Sequence, residues 1–579
     1  MKLKFLAPLL YLLSITCVAQ SFLKTDGVKI INENNENILL RGIGLGGYML
    51  QEGYMLKVPF SGQQYVIKEH IEELLGKEKT EEFYTAWLKN TVQKADVDSL
   101  KSWGFNSVRL PMHYNLYTLP VEKESVKGDN TWLEAGFTMT DSLVKWCKSN
   151  NMYLILDMHA TPGGQGHDVN ISDRDPSKPS LWESAENQQK LVDLWVKLAE
   201  KYKDEPIIGA YDIINEPNWS FEEGKNKNGT QDSENKPLRE LMVRITEAIR
   251  TVDKKHIIII EGNGWGNNYN GVLPPWDENM VMSFHKYWNY NDTASIQNFL
   301  DFRKKYQIPI WLGESGENSN VWFADAIKLM EQNNIGWCWW PLKKLGSNNP
   351  LEVKVNPGYQ KVLDYWHSKA EKPTSTEAYK AFMQLAENTK IENCIVHRDV
   401  IDAMIRQPHS DKTIPYKEIV VKDSASIKAA DYNLGKNGIA YKDSVVGNYY
   451  ISKGGDRESW NNGHAYRNDG VDIYKKENTQ DAESIYVGDL EKGEFLQYTF
   501  KVVQSGNYKF SIKVRGNNAK GKASVEINTK HIQDLNIPNS SDDWEWISTD
   551  LIPLKIGTNT LKIGIKIGDF DLETIKILK

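Results

Sequence analysis

Between residues 39 and 366, short apolar runs alternate with stretches whose apolar positions recur every three or four residues. Apolar runs without alternation suit strands buried on both faces, and the periodic stretches suit helices that cover a parallel sheet. The pattern predicts strands near 39–45, 105–111, 153–159, 207–215, 256–261, 280–285, 308–313 and 335–341. Helices are predicted over 92–103, 132–150, 186–202, 238–252, 295–306 and 321–333. This order predicts an α/β fold, a (β/α)8 TIM barrel, with a doubly wound open sheet as the alternative. Residues 368–415 are polar and partly helical, punctuated by Pro373 and Pro408, and read as a connector. From about residue 416 the period changes to two. Segments at 494–503, 507–515, 523–528, 545–550, 559–567 and 571–578, set apart by glycine turns, predict a C-terminal β-sandwich (jelly-roll) domain over 416–579.

The first residues change the expected address. Lys2 and Lys4 precede an apolar run from Phe5 to Ala19, which predicts a signal peptide over 1–20, a barrel domain over 21–367 and a secreted product. No later stretch has the length of a membrane span. The chain of 579 residues carries a net charge of −7, which argues against nucleic acid as a partner. Of four cysteines one lies in the signal, leaving Cys147, Cys338 and Cys394 and no metal spacing. With 19 Trp and 27 Tyr, the chain is rich in rings that can grip an amphipathic ligand such as a sugar. Gly42 to Gly47 loosely imitates a dinucleotide fingerprint but lacks the helix opening and the third-glycine spacing.

In such a barrel the chemistry sits at the C-terminal strand ends. Polar residues there are Arg109 on strand two, His159 on strand three, Asn215 and Glu216 on strand four, His285 and Tyr287 on strand six, Glu314 after strand seven and Trp340 on strand eight. Glycoside hydrolysis needs one carboxyl group to protonate the leaving oxygen and another to trap the oxocarbenium-like sugar. Arg109 and Tyr287 would keep Glu314 ionised, and a less cationic pocket would keep Glu216 protonated. Asn215 is placed to bond the sugar 2-OH, and Trp340 to floor the subsite. Asp168, Asn170, Asp173 and Asp175 miss the calcium-loop spacing and read as solvated loop carboxylates and amide. Two rivals are a catalytically dead sugar-binding barrel and a metal hydrolase using Asp157, His159 and His285.

The segments 41–47, 108–111, 156–159, Asn215-Glu216-Pro217, His285-Lys286-Tyr287, Gly313-Glu314-Ser315 and 336–340 resemble glycoside hydrolase family 5. The resemblance implies a retaining double displacement, with Glu216 as acid/base and Glu314 as nucleophile. Arg109, His159, Asn215, His285, Tyr287 and Trp340 fall on the family's other site positions, and no cofactor or metal is implied. Departures are Gly44 where Asn is usual and Tyr48 where Trp is usual. The opening Leu-Gly-Gly and the 162–165 segment look closer to β-1,3- and β-1,4-glucanases than to mannanases.

Segments 437–443, 465–473 and 493–498 resemble family 6 carbohydrate-binding modules. That implies a sugar held between Tyr466 and Trp544, with Trp546 as substitute. Ile427-Lys428-Ala429-Ala430 lacks the two glutamates that help hold structural calcium there. A tethered binder makes the second encounter with a polymer intramolecular. The expectation is a secreted, monomeric, retaining β-glycosidase acting on a polysaccharide, a β-glucan first, with β-mannan or another β-glycan as the alternative.

Overall fold

The structure, a computed structural model, describes residues 20–448, 459–476, 484–517, 520–539 and 543–579. The expected signal peptide, but for Gln20, lies outside them. Among the described residues no helix is long and apolar enough to cross a membrane.

Eight parallel strands close into a barrel, which excludes the open-sheet alternative. They are β1 (Arg41–Gly44), β2 (Ser107–His113), β3 (Tyr153–Ala160), β4 (Ile208–Asp212), β5 (Ile257–Ile260), β6 (Met280–Lys286), β7 (Ile310–Gly316) and β8 (Gly336–Trp340), with β8 paired back to β1. Successive side chains point to opposite faces, so every second residue enters the barrel. Tyr153, Ile155, Ile257, Ile259, Val281 and Trp311 pack as the lower interior, closed from beneath by Leu23 and Ile30. Their outward neighbours, such as Leu154, Ile258 and Leu312, join the core shared with the helices. Further along the same inward rows the residues become polar, and there the site begins.

Between β1 and β2 lie three helices, α1 (Gln64–Leu75), α2 (Lys77–Asn90) and α3 (Lys94–Trp103), where the pattern predicts only the last. The buried stripe Ile67, Ile71, Leu74 and Leu75 on α1 repeats at helical spacing. The other expected helices are α4 (Glu134–Asn150), α5 (Ala185–Tyr202), α6 (Lys236–Arg250), α7 (Gln297–Tyr306) and α8 (Asn320–Gln332). After β8 come α9 (Pro357–Trp366), α10 (Ser375–Asn388) and α11 (Arg398–Ile405). Thr374 and Glu377 form a reciprocal capping box that starts α10. Its Ala378, Phe382 and Leu385 enter the barrel's helical layer.

The C-terminal region is a sandwich of two antiparallel-dominated sheets. The second sheet runs β9 (Ile473–Lys475), β10 (Ile485–Val487), β13 (Phe570–Leu578), β11 (Gly506–Gly516) and β12 (Glu545–Ser548) in spatial order. Tyr498, Phe500, Phe510, Ile512, Ile563 and Ile575 fill the space between the sheets. Cys147, Cys338 and Cys394 are buried free thiols.

Candidate active site

Arg109 is not at a strand end. It lies third in β2, fully buried beneath the site. Its guanidinium donates from Nη1 to Glu314 Oε2 at 2.9 Å and from Nη2 to Asn215 Oδ1 at 2.7 Å, Asp212 Oδ2 at 2.8 Å and Glu261 Oε1 at 3.2 Å. Asp157 Oδ1 lies 3.3 Å away. A rigid planar fork with several donors is suited to hold carboxylates from several strands in one arrangement.

Glu314 accepts a second hydrogen bond, 2.8 Å from the Tyr287 hydroxyl. Across from it, Glu216 Oε1 lies 2.6 Å from His285 Nδ1, while His285 Nε2 lies 3.1 Å from Glu261 Oε1. One ligand atom each from Glu216, His285 and Glu314 lie within 4.8 Å of one another. Burial opposes a charge on His285, but Glu261, Glu314 and Glu216 together raise it well above the usual histidine range. It therefore keeps its proton near neutrality and donates at both nitrogens. Among the described residues this trio is the one set close enough to share a cation. An imidazolium engaged on both sides has no lone pair to offer one.

Glu216 is pushed up, first by burial; His285 pulls it back and Glu314 pushes it up again. It also has a left-handed backbone, with φ of +43°, a conformation that costs a non-glycine residue of order 1–3 kcal/mol and clusters at functional sites. Its N–H donates to Glu261 Oε2 at 2.7 Å, which anchors the strained residue. Asn215 spends its carbonyl oxygen on Arg109, and its amide N–H2 lies 3.4 Å from His159 Nε2. Asp157 Oδ2 holds His159 at Nδ1, 2.8 Å away.

Trp340 lies parallel to the His159 ring, with centroids 5.1 Å apart and planes within 8°. A Cβ at Gly44 would come to 2.6 Å, and one at Gly46 to 2.7 Å, from the indole. The glycine at 44, one of the departures from the family motif, is therefore room for this ring. The indole N–H donates to Tyr54 Oη at 3.0 Å.

Three acidic residues went unread in the sequence. Glu261 follows four isoleucines at the end of β5, the same signal that marked Glu216 and Glu314. Burial works to raise it, but His285, Arg109 and the Glu216 N–H bring it down to about 2. Asp212 ends β4 and is raised well above the usual range by burial and then by Glu261. Glu52, in the loop after β1, is buried close enough to the pair that burial, then Glu314, Glu317 and Glu216, raise it well above that range. Of the expected solvated loop residues Asn170 is exposed, but the Asp173 side chain is buried against His113 at 2.9 Å and accepts from the Tyr65 N–H; Asn170 accepts from the Gly62 N–H. They pin the long loop to its neighbours.

On the sandwich, Tyr466 and Trp544 do not face one another. Tyr466, with φ of +67°, turns its hydroxyl to Asp431 and Lys417 and packs its edge on Tyr416. Trp544 instead meets Tyr486 edge-on at 5.5 Å, and Tyr486 stacks on Tyr474 at 5.5 Å. Trp546 is exposed on the neighbouring strand, with Lys576 over its ring.

The cellulase family, glycosyl hydrolase family 5, matches residues 69–346, and carbohydrate-binding module family 35 matches residues 467–577. A β-xylosidase of Phanerodontia chrysosporium is 25% identical over 375 residues, 58% of this chain and 74% of its own length. Endoglucanase C of Acetivibrio thermocellus is 24% identical over 316 residues, 44% of this chain and 84% of its own. The solved endoglucanase Cel5A of Thermotoga maritima is 19% identical with a TM-score of 0.35, covering 50% of this chain and 90% of its own. The second module thus belongs to family 35, which corrects the expected family 6. Residues 69–346 thus form a cellulase-like catalytic domain of glycosyl hydrolase family 5, and residues 467–577 a C-terminal carbohydrate-binding module of family 35.

Proposed function

We propose that the chain is a retaining β-glycosidase that hydrolyses a β-glucan by double displacement. The observation that carries this reading is the Glu216–Glu314 pair, whose nearest oxygens fall within 4.8 Å. Retention requires carboxyl groups about 5–5.5 Å apart, and inversion leaves room for a water at roughly 6.5–9.5 Å. Glu216 gives its proton to the glycosidic oxygen as Glu314 attacks the anomeric carbon, which breaks the C–O bond and forms a glycosyl ester. The ester is neutral, so the charge of Glu314 that helped raise Glu216 disappears, and Glu216, having given up its proton, stays ionised and available as the base. It then takes a proton from water, whose oxygen attacks the anomeric carbon and frees Glu314. Asn215, whose side-chain oxygen is taken by Arg109, is assigned the contact to the sugar 2-OH in this reading, through its amide N–H2.

The choice of glucan rests on the relatives, which include endoglucanases and probable glucan 1,3-β-glucosidases alongside the β-xylosidase. Proton NMR of the first products from β-1,3-, β-1,4- and mixed-linkage glucans, mannan and xylan tests both parts, and adding EDTA tests metal independence. We expect β-configured ends from glucan. Inverted ends would overturn the mechanism, and activity on xylan or mannan alone would overturn the substrate.

The sandwich's sugar contact belongs, in this reading, to the outer face of β9, β10 and the stretch before β12. Tyr474 and Tyr486 pair across strands there, beside Trp544 and the Arg515 guanidinium. Flat rings flanked by hydrogen-bonding charges match the two faces of a sugar ring. Tyr486→Ala is expected to weaken retardation by soluble β-glucan in affinity gels about tenfold, the equivalent of ~1.4 kcal/mol. Tyr466→Phe is expected to leave it unchanged, and the reverse order would return the site to Tyr466.

A further inference from the structure

The loop that leaves β7 directly after the nucleophile strand is held by the other domain. Asn468 of the sandwich donates from Nδ2 to the Asn318 carbonyl at 2.7 Å and to Asn320 Oδ1 at 3.1 Å. Its own carbonyl accepts from the Asn320 N–H at 3.0 Å. Asn320 Nδ2 in turn reaches Asp399 at 2.8 Å, at the start of α11, and Asp469 at 2.9 Å. Arg467 clamps Asp469 from behind at 2.8 Å. Asn318, Asn320, Asp399, Arg467, Asn468 and Asp469 are all at most 3% exposed. Buried polar groups in so connected a network are costly to separate, so this is a fixed seat and not a flexible tether.

The loop leads back into the site. Glu317, with φ of +56°, accepts from Lys344 Nζ at 2.8 Å, and that ammonium lies over the Tyr54 ring, 5.3 Å from its centroid. The Tyr54 hydroxyl oxygen is the acceptor for the Trp340 indole N–H. Gly316 begins the loop where a Cβ would meet the Trp340 carbonyl at 2.2 Å. A continuous path therefore runs from Asn468 through 318–320 to Glu317, Tyr54 and Trp340.

We propose that the sandwich is a working part of the catalytic unit, with Asn468 as a positioning residue that sets the β7 loop and, through Glu317 and Tyr54, the indole beside the glutamate pair. The inference rests on the proposed glycosidase reading. The full-length chain is assayed on a soluble aryl β-glycoside, too small to need a separate polymer-binding module. Wild-type turnover that is lost in Glu314→Gln establishes the reading itself. Asn468→Ala is then expected to lower kcat tenfold or more with KM within about threefold, since small displacements of a positioning contact cost up to ~100-fold in rate. The assay is run well below the melting transition, where a merely stabilising residue leaves kcat unchanged. An unchanged kcat in folded Asn468→Ala would overturn the proposal. Glu317→Ala, which leaves the Asn468 contacts in place, must show the same kcat loss. If Asn468→Ala does not fold, an unaltered kcat in Glu317→Ala overturns the proposal alone.

Discussion

Replacing Glu314 with glutamine is expected to reduce kcat on β-glucan by about 10³-fold or more while the chain stays folded. The amide cannot attack the anomeric carbon, and a thousandfold loss corresponds to about 4 kcal/mol of transition-state stabilisation. The fold should survive because the change is nearly isosteric and Arg109 keeps Asp212, Asn215 and Glu261. The amide oxygen can still accept from Arg109, and its N–H2 can donate to Tyr287. A second signature separates this from a passive loss. The charge of Glu314 is one cause that raises Glu216. Removing it favours the ionised form of Glu216, so in Glu314→Gln the Glu216 carboxyl should titrate at lower pH, measured by carbon-13 NMR of labelled glutamate. Full activity in the variant would sink the proposed roles, and a rise in the Glu216 titration would sink the electrostatic account.

The same pairing explains what the sequence could and could not tell. Strand ends announce themselves when a polar residue follows a run such as 257–260, which is why Glu216 and Glu314 were legible. Glu261 carried the same signal and was passed over because a glutamate alone does not reveal how many partners it serves. Arg109 was found but placed too high, since its inward direction follows from period two whereas its depth depends on the barrel's stagger. Helices α1 and α2 had the right periodicity but sit in a crossover where one helix is expected. In the sandwich the long strands read well. Strands of two or three residues, such as β9 and β10, are too short for any period, and they carry Tyr474 and Tyr486. Tyr466 does not face Trp544, because its backbone turns it among Tyr416, Lys417 and Asp431, a direction that no spacing encodes. The contacts of Asn468 were equally invisible, because they join residues about 150 positions apart.

Glu216→Ala should behave differently from the nucleophile variant, because an acid is needed only in proportion to how poor the leaving group is. On glucans, whose leaving groups are ordinary sugar alcohols, kcat/KM is expected to fall about 10²–10⁴-fold, the usual contribution of a positioned proton donor. A dinitrophenyl β-glycoside leaves without a proton, so its first step should be nearly unaffected. The second step still lacks a base to activate water, so the glycosyl ester should accumulate and appear as a burst of dinitrophenolate. Azide, which needs no deprotonation, should then shorten the intermediate's life and give a β-glycosyl azide. The pH profile supplies the sign. Glu216 is held above the usual glutamate range, mainly by burial, so the protonated, active form of the parent enzyme persists to higher pH than an ordinary glutamic acid allows. The basic limb of kcat/KM should follow Glu216 and disappear in Glu216→Ala with the dinitrophenyl substrate. An equal loss for good and poor leaving groups would mean that Glu216 supports the site's shape and does not transfer the proton.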